Sequence, residues 1–157
     1  QMYSKFKDGE NLYFDLDVVI KDNIDEIANY GDDDSFCVIR DFGQPQTWYN
    51  SSILKFNNTN ATEFIWDKFL QNKATDLALQ GDQNVITNYI NQKPGVEKLK
   101  IYPDTWTQSY KWLDRSQTRF HKNDFTYEES PLAKVAIFHG NPKPSESRQE
   151  WVRNHWK

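Results

Sequence analysis

Two aspartates one residue apart, Asp15 and Asp17, interrupt the otherwise apolar run from Tyr13 to Ile20. On a β-strand, residues two apart leave the same face. Two unscreened carboxylates placed side by side repel each other and lose hydration, and a cation held between them removes both costs. The alternative is that the strand stops at Phe14 and the acids are turn residues. Far along the chain, His139 closes a second apolar run and is followed by Gly140 and Lys143. Two carboxylates with a neutral imidazole form a mixed oxygen and nitrogen set suited to Mn²⁺, whereas oxygen ligands alone favour Mg²⁺ or Ca²⁺. A cation beside Lys143 is what an anionic diphosphate needs, the metal acting as Lewis acid on a departing phosphate. Asn50 and the Gly81-Asp82-Gln83 triplet also stand at the ends of apolar runs. In open α/β sheets, ligands bind beyond the carboxyl ends of strands.

The elements that must position these residues follow from hydrophobic period and breakers. Asn11 to Ile20 reads as a strand, and Asp22-Asn23 caps a short helix over Ile24 to Tyr30. Phe36 to Arg40 and Ser52 to Phe56 read as the next strands, with Asn50 just ahead of the latter. Apolar residues at helical spacing predict helices over Ala61 to Gln71 and Asp82 to Gln92. Lys98 to Pro103 and Lys134 to Gly140 predict two further strands, and Ser145 is positioned to cap a last helix carrying Trp151 and Trp156. Strands alternating with helices in 157 residues predict one domain of the α/β class.

Composition narrows the function. A net charge of −4 excludes a general nucleic-acid surface, which would be basic. Aromatic residues make up 15% of the chain, so the core is expected to lean on rings. The lone cysteine, Cys37, has no partner for an internal disulfide and lies in an apolar run, which predicts a buried structural thiol. No transmembrane segment and no signal-peptide pattern is present in the sequence, and a cytoplasmic location is the expectation.

Four motifs then occur in one order: FDLDVV after a hydrophobic stretch, YNSSILKF, GDQNVITNYI opening a helix, and HGNPKP. In that order and approximate spacing the chain resembles the metal-dependent glycosyltransferases of the GT-A fold, in particular the glycogenin and bacterial galactosyltransferase group. The resemblance implies a GT-A-like mixed sheet flanked by helices. It implies that Asp15, Asp17 and His139 hold Mn²⁺, with Mg²⁺ as the alternative, and that Lys143 and the Gly140 backbone contact the donor's diphosphate. Asn50, Asp82 and Gln83 would line the donor-sugar and acceptor side, Asp82 and Gln83 in the catalytic role. The implied reaction moves a sugar, usually with retention, from a nucleotide-diphosphate sugar to a carbohydrate or protein acceptor.

Only Gln1 to Glu10 precede the first strand, where related transferases carry a substantial nucleotide-binding segment. The resemblance therefore implies the C-terminal part of such a domain. A second copy or a complementing chain is expected to cover the first strand as an exposed sheet edge. Two other functions fit parts of the sequence. FDLDVV also suits a haloacid-dehalogenase-type phosphatase with Asp15 as nucleophile, although no second acidic pair for Mg²⁺ follows Gly81-Asp82. A non-catalytic carbohydrate or protein-binding module would use Trp48, Trp106 and Trp112 as stacking platforms, although tryptophans at such spacings commonly pack the core. His121 and His155 read as ordinary surface or hydrogen-bonded histidines.

Overall fold

The computed structural model describes residues 9–57, 60–78, 81–92, 99–111 and 129–156. In chain order these form β1 (Asn11–Phe14), β2 (Val18–Ile20), α1 (Asp25–Ala28), β3 (Phe36–Arg40), β4 (Tyr49–Phe56), α2 (Asn60–Gln71), α3 (Lys73–Asp76), α4 (Asp82–Gln92), β5 (Leu99–Ile101), β6 (Thr107–Ser109), β7 (Val135–Ile137) and α5 (Glu150–His155). Single 3₁₀ turns precede β6 and α5. Trp112 and His121 lie outside the described residues.

The strands make two mixed sheets, ordered β1-β4-β3-β5 and β2-β7-β6. In the first, β1 and β3 run antiparallel to β4 while β5 runs parallel to β3. In the second, β2 is antiparallel and β6 parallel to β7. This is the expected α/β architecture of mixed sheet and flanking helices, with the strands divided between two sheets.

Side-chain alternation accounts for the layering. Phe36 and Val38 of β3, with Leu54 and Phe56 of β4, face Ile65 of α2 and Val85, Ile86 and Tyr89 of α4. From the opposite face, Cys37, Ile39 and Ile53 meet Val18, Val135 and Ile137 of the second sheet. On the far side of that sheet, Val19, Ala136 and Phe138 pack on Val152 of α5. β3, β7 and most of β4 are thus buried on two faces, which is why the apolar runs of β3 and β7 are nearly continuous.

Three expectations change. The opening run is not one strand: β1 ends at Phe14, β2 starts at Val18, and the two belong to different sheets. A straight strand cannot pair with both β4 and β7, so the chain turns at Asp15–Asp17. β4 begins at Tyr49 and includes Asn50, which is not a residue ahead of the strand. The last helix begins at Glu150, because Lys143 to Ser147 form a separate 3₁₀ turn in which Glu146 Oε2 accepts the Lys143 amide at 2.7 Å. Among the described residues, no helix is long and apolar enough to cross a membrane.

Cys37 is fully buried, its Sγ donating to Tyr30 O at 3.4 Å. Burial pushes the thiol up from 9.0 to about 11, with nearby Lys55 opposing the shift. The unfolded thiol ionises first as pH rises, so this group's contribution to stability is complete below pH 9.0 and is lost on the way to about 11. We expect an aromatic disulfide reagent to leave Cys37 unlabelled at pH 8 and to react at once when denaturant is added. Rapid labelling of the native protein would contradict the burial.

Candidate functional site

The site forms where regular pairing breaks down. Between Val38 and Ile39 the β3–β4 register jumps, so that Val38 faces Leu54 but Ile39 faces Asn50. The skipped stretch of β4, Ser51 to Ile53, bends away from β3 and its backbone groups need other partners. Asn50 Oδ1 accepts the Ser52 amide at 3.0 Å, and Ser52 O accepts the Asp15 amide at 3.0 Å. The bulge therefore carries Asp15 on one side. On the other it offers Ser51, whose Oγ donates to Asp82 Oδ1 at 3.2 Å.

Asp82 opens α4, and the same Oδ1 accepts the Gln83 amide at 2.8 Å. Gly81 enters with φ of +98°, a conformation that favours glycine. Gln83 is held at both ends of its amide: Oε1 accepts from Asn50 Nδ2 at 3.1 Å, and Nε2 donates to Asp41 Oδ2 at 2.9 Å. Asp41 is itself fixed by the amides of Gly43 and Gln44, both 2.8 Å from Oδ1. Asp41 was not singled out from the sequence, where it follows a strand as an ordinary turn acid.

The second sheet supplies the rest. Phe138 N donates to Asp17 O at 3.0 Å, so the β2 and β7 ends are tied where the two motifs meet. Lys143 Nζ donates to Asp17 Oδ2 at 2.7 Å, closing an ion pair across 126 residues. Asp15 is turned toward Tyr13, whose hydroxyl donates to Oδ1 at 2.6 Å. Leu16 between the acids is 94% exposed, and both acids are half-buried. They line one open cleft of about 480 Å³ with Tyr13, Lys143, Pro144 and Trp156. That volume lies within the range of small-molecule sites.

Tyr13 joins the two polar groups. Its phenol is pushed well above the ordinary range, first by burial, then by the hydrogen bond to Asp15, and then by the charges of Asp15, Asp82 and Asp17. Three expected site acids thus act on one hydroxyl. The ring of His139 meets Phe42, next to Asp41, edge-on with centroids 5.1 Å apart. Gly140 turns the chain after His139 with φ of +72°. Lys111, also missed in the sequence, donates through Nζ to the His139 carbonyl. Burial lowers its pKa, the charge of Lys143 lowers it further, and Asp17 opposes both.

The donor chemistry of Asp15, Asp17 and His139 suits a divalent ion. Among the described residues, no three His, Cys, Asp or Glu side chains converge as a metal-holding group. The ammonium of Lys143 stands on Asp17 where a cation would be expected, and Tyr13 engages Asp15. Trp106, considered as a sugar platform, instead packs against the core beside Tyr30, with ring centroids 5.4 Å apart.

No family model and no curated protein matches the chain. Among solved structures, it is similar to the glycosyltransferase GlyE of Streptococcus pneumoniae TIGR4, with TM-score 0.65 and 13% identity over 99% of this chain and 40% of that one. It is also similar to LgtC bearing an active-site glutamine-to-glutamate change, with TM-score 0.56 and 14% identity over 94% of this chain and 60% of that one. Galactosyltransferase LgtC with donor and acceptor sugar analogs gives TM-score 0.56 and 15% identity, over 99% of this chain and 67% of that one. The chain has the fold of these glycosyltransferases, a GT-A-like mixed α/β architecture, and spans between 40% and 67% of their lengths.

Asn50 is 4% exposed and holds both the bulge and Gln83. Asn50→Ala leaves the Ser52 amide and the Gln83 carbonyl without these partners. A loss of about 1–3 kcal/mol is expected. Urea denaturation with an unchanged m-value is the check, and a midpoint equal to wild type would refute the bracing role.

Proposed function

We propose that the chain is the catalytic part of a glycosyltransferase that takes a sugar from a nucleotide-diphosphate donor and passes it to a carbohydrate or protein acceptor. The observation that carries this reading is the pairing of Lys143 with Asp17, which joins the first and last motifs, together with the hydrogen-bonded Asn50–Gln83 pair, within a glycosyltransferase fold. In this reading Lys143 and the Gly140 backbone take the diphosphate, while Asn50 lines the donor-sugar side. Gln83 and Asp82 act nearest the transferred sugar. The amide of Gln83 is oriented before any ligand arrives, since Asp41 takes its N–H and Asn50 donates to its oxygen. Preorganised dipoles of this kind stabilise developing charge without reorganisation in the transition state.

Mn²⁺ on Asp15, Asp17 and His139, with Mg²⁺ as the alternative, belongs to this proposal as a state distinct from the one described, in which Lys143 has left Asp17. When bound, the ion would supply Lewis acidity toward the diphosphate. Retention of configuration is likewise part of the proposal. The base and ribose would be held by a further segment or a complementing chain, and β1 lies at an edge of its sheet, where such a chain would pair. The phosphatase alternative is disfavoured by the lack of a second acidic pair after Gly81-Asp82, where Gln83, Asn84 and Val85 follow.

With Mn²⁺ present, the protein is expected to release nucleoside diphosphate from a uridine- or guanosine-diphosphate sugar. Gln83→Ala and Asp82→Asn should each slow this release about 100-fold or more. Asp15-dependent phosphate release from a phosphomonoester with Mg²⁺, without turnover of either nucleotide sugar, would overturn the proposal. A separate titration should find Mn²⁺ bound by wild type and at least about tenfold weaker in Asp17→Ala. Equal affinities would remove Asp17 from the ligand set.

A further inference from the structure

The end of β7 is approached by a second lysine that the reading above leaves without a role. β6 and β7 run parallel in register, with Thr107 beside Val135 and Ser109 beside Ile137. Tyr110 N continues the ladder to Ile137 O at 2.9 Å, and the Tyr110 ring stacks on Phe138 with centroids 4.0 Å apart. Lys111 therefore emerges level with His139, and its Nζ donates to the His139 carbonyl. On the other edge of β7, Phe138 N is tied to Asp17 O. Lys143 then returns along the HGNPKP loop to bring its Nζ within 2.7 Å of Asp17 Oδ2.

Two ammonium groups from different parts of the chain thus stand near the end of one strand, Lys111 on its β6 edge and Lys143 beside Asp17 on its β2 edge. Lys143 and Asp17 are both close enough for their charges to act on Lys111. Asp17 pairs with Lys143, and an anion with several charged oxygens can engage both ammonium groups at once.

We propose that Lys111 is a second ammonium of the diphosphate subsite, acting with Lys143 on adjacent phosphoryl groups. This rests on the donor reading of the site and assigns it a residue that no motif marked. An ammonium carries three donors, so a tether to the His139 carbonyl is compatible with a phosphate contact. Lys143 can turn toward the ligand because its pairing with Asp17 is partly exposed, at 48% and 22% for the two side chains, and such pairs are weak. Lys111 is the positioned cation of the two, and Lys143 the one that exchanges.

The test is calorimetric titration of the 157-residue protein with inorganic pyrophosphate. Lys111→Met is expected to weaken binding about 10-fold or more, as is Lys143→Met, while Lys111→Arg stays within about 3-fold of wild type. Lys100→Met, the same charge change on exposed β5, should leave affinity unchanged. Amine acetylation of wild type, read by mass spectrometry, provides a measurement that does not depend on any variant folding. Pyrophosphate should protect both Lys111 and Lys143. Protection of Lys143 alone, or Lys111→Met binding as tightly as wild type, overturns the assignment of Lys111 and leaves the donor reading standing. If Lys143→Met also binds like wild type and neither lysine is protected, the diphosphate subsite itself is wrong.

Discussion

Strand β7 is buried on both faces and hydrogen-bonded along both edges, and this double constraint governs the site. Val135, Ala136 and Ile137 have no exposed surface, so the strand can lie only between the first sheet and α5. Burying side chains of this kind contributes roughly 1.5–3 kcal/mol each for the larger ones. Sliding the strand by one residue would exchange its two faces and place Phe138 where Ile137 now packs. Its end is therefore held in position, and with it the Asp17 backbone on one edge and Lys111 on the other.

The polar residues gather where this regular framework is interrupted. At Asp15–Asp17 the chain leaves one sheet for the other, and at Ser51–Ile53 β4 bends out of register with β3. Each interruption leaves backbone groups that must be satisfied. The Ser52 amide and carbonyl are satisfied by Asn50 and Asp15, so the repair of the ladder and the placement of site residues are the same contacts. The orientation of Gln83 follows from that repair through Asn50, with Asp41 supplying the opposite end.

The acids among the candidate site residues are held by groups that differ in rigidity. Asp41 is fixed by two backbone amides, and Asp82 by one amide and a hydroxyl. Asp17 is held by a lysine on a loop, in a pair of a type that contributes about 0–1 kcal/mol in water. A competing cation or anion can replace that contact without disturbing the core, which makes Asp17 and Lys143 the adaptable edge of an otherwise preset site.

The apolar runs of β3, of Ser52 to Phe56 in β4 and of residues 135–137 were legible in the sequence, as were the two longer amphipathic helices, because composition and helical period are local properties. The chemistry of Asp15, Asp17, His139 and Lys143 was legible too, as residue types at the ends of apolar runs. Their orientation was not. The apolar residues on either side of Asp15 and Asp17 did not reveal a change of sheet, since a run buried in either of two sheets has the same composition. Asp41 and Lys111 carried no signal because their partners are set by chain segments that approach from elsewhere: Gln83 lies 42 residues from Asp41, and His139 lies 28 from Lys111. The sequence by itself determined which groups could bind a cation, a phosphate or a sugar, and which faces had to be buried. Only the tertiary structure decided which acid meets which lysine, because a hydrogen bond between distant residues exists only after packing has brought their strands side by side.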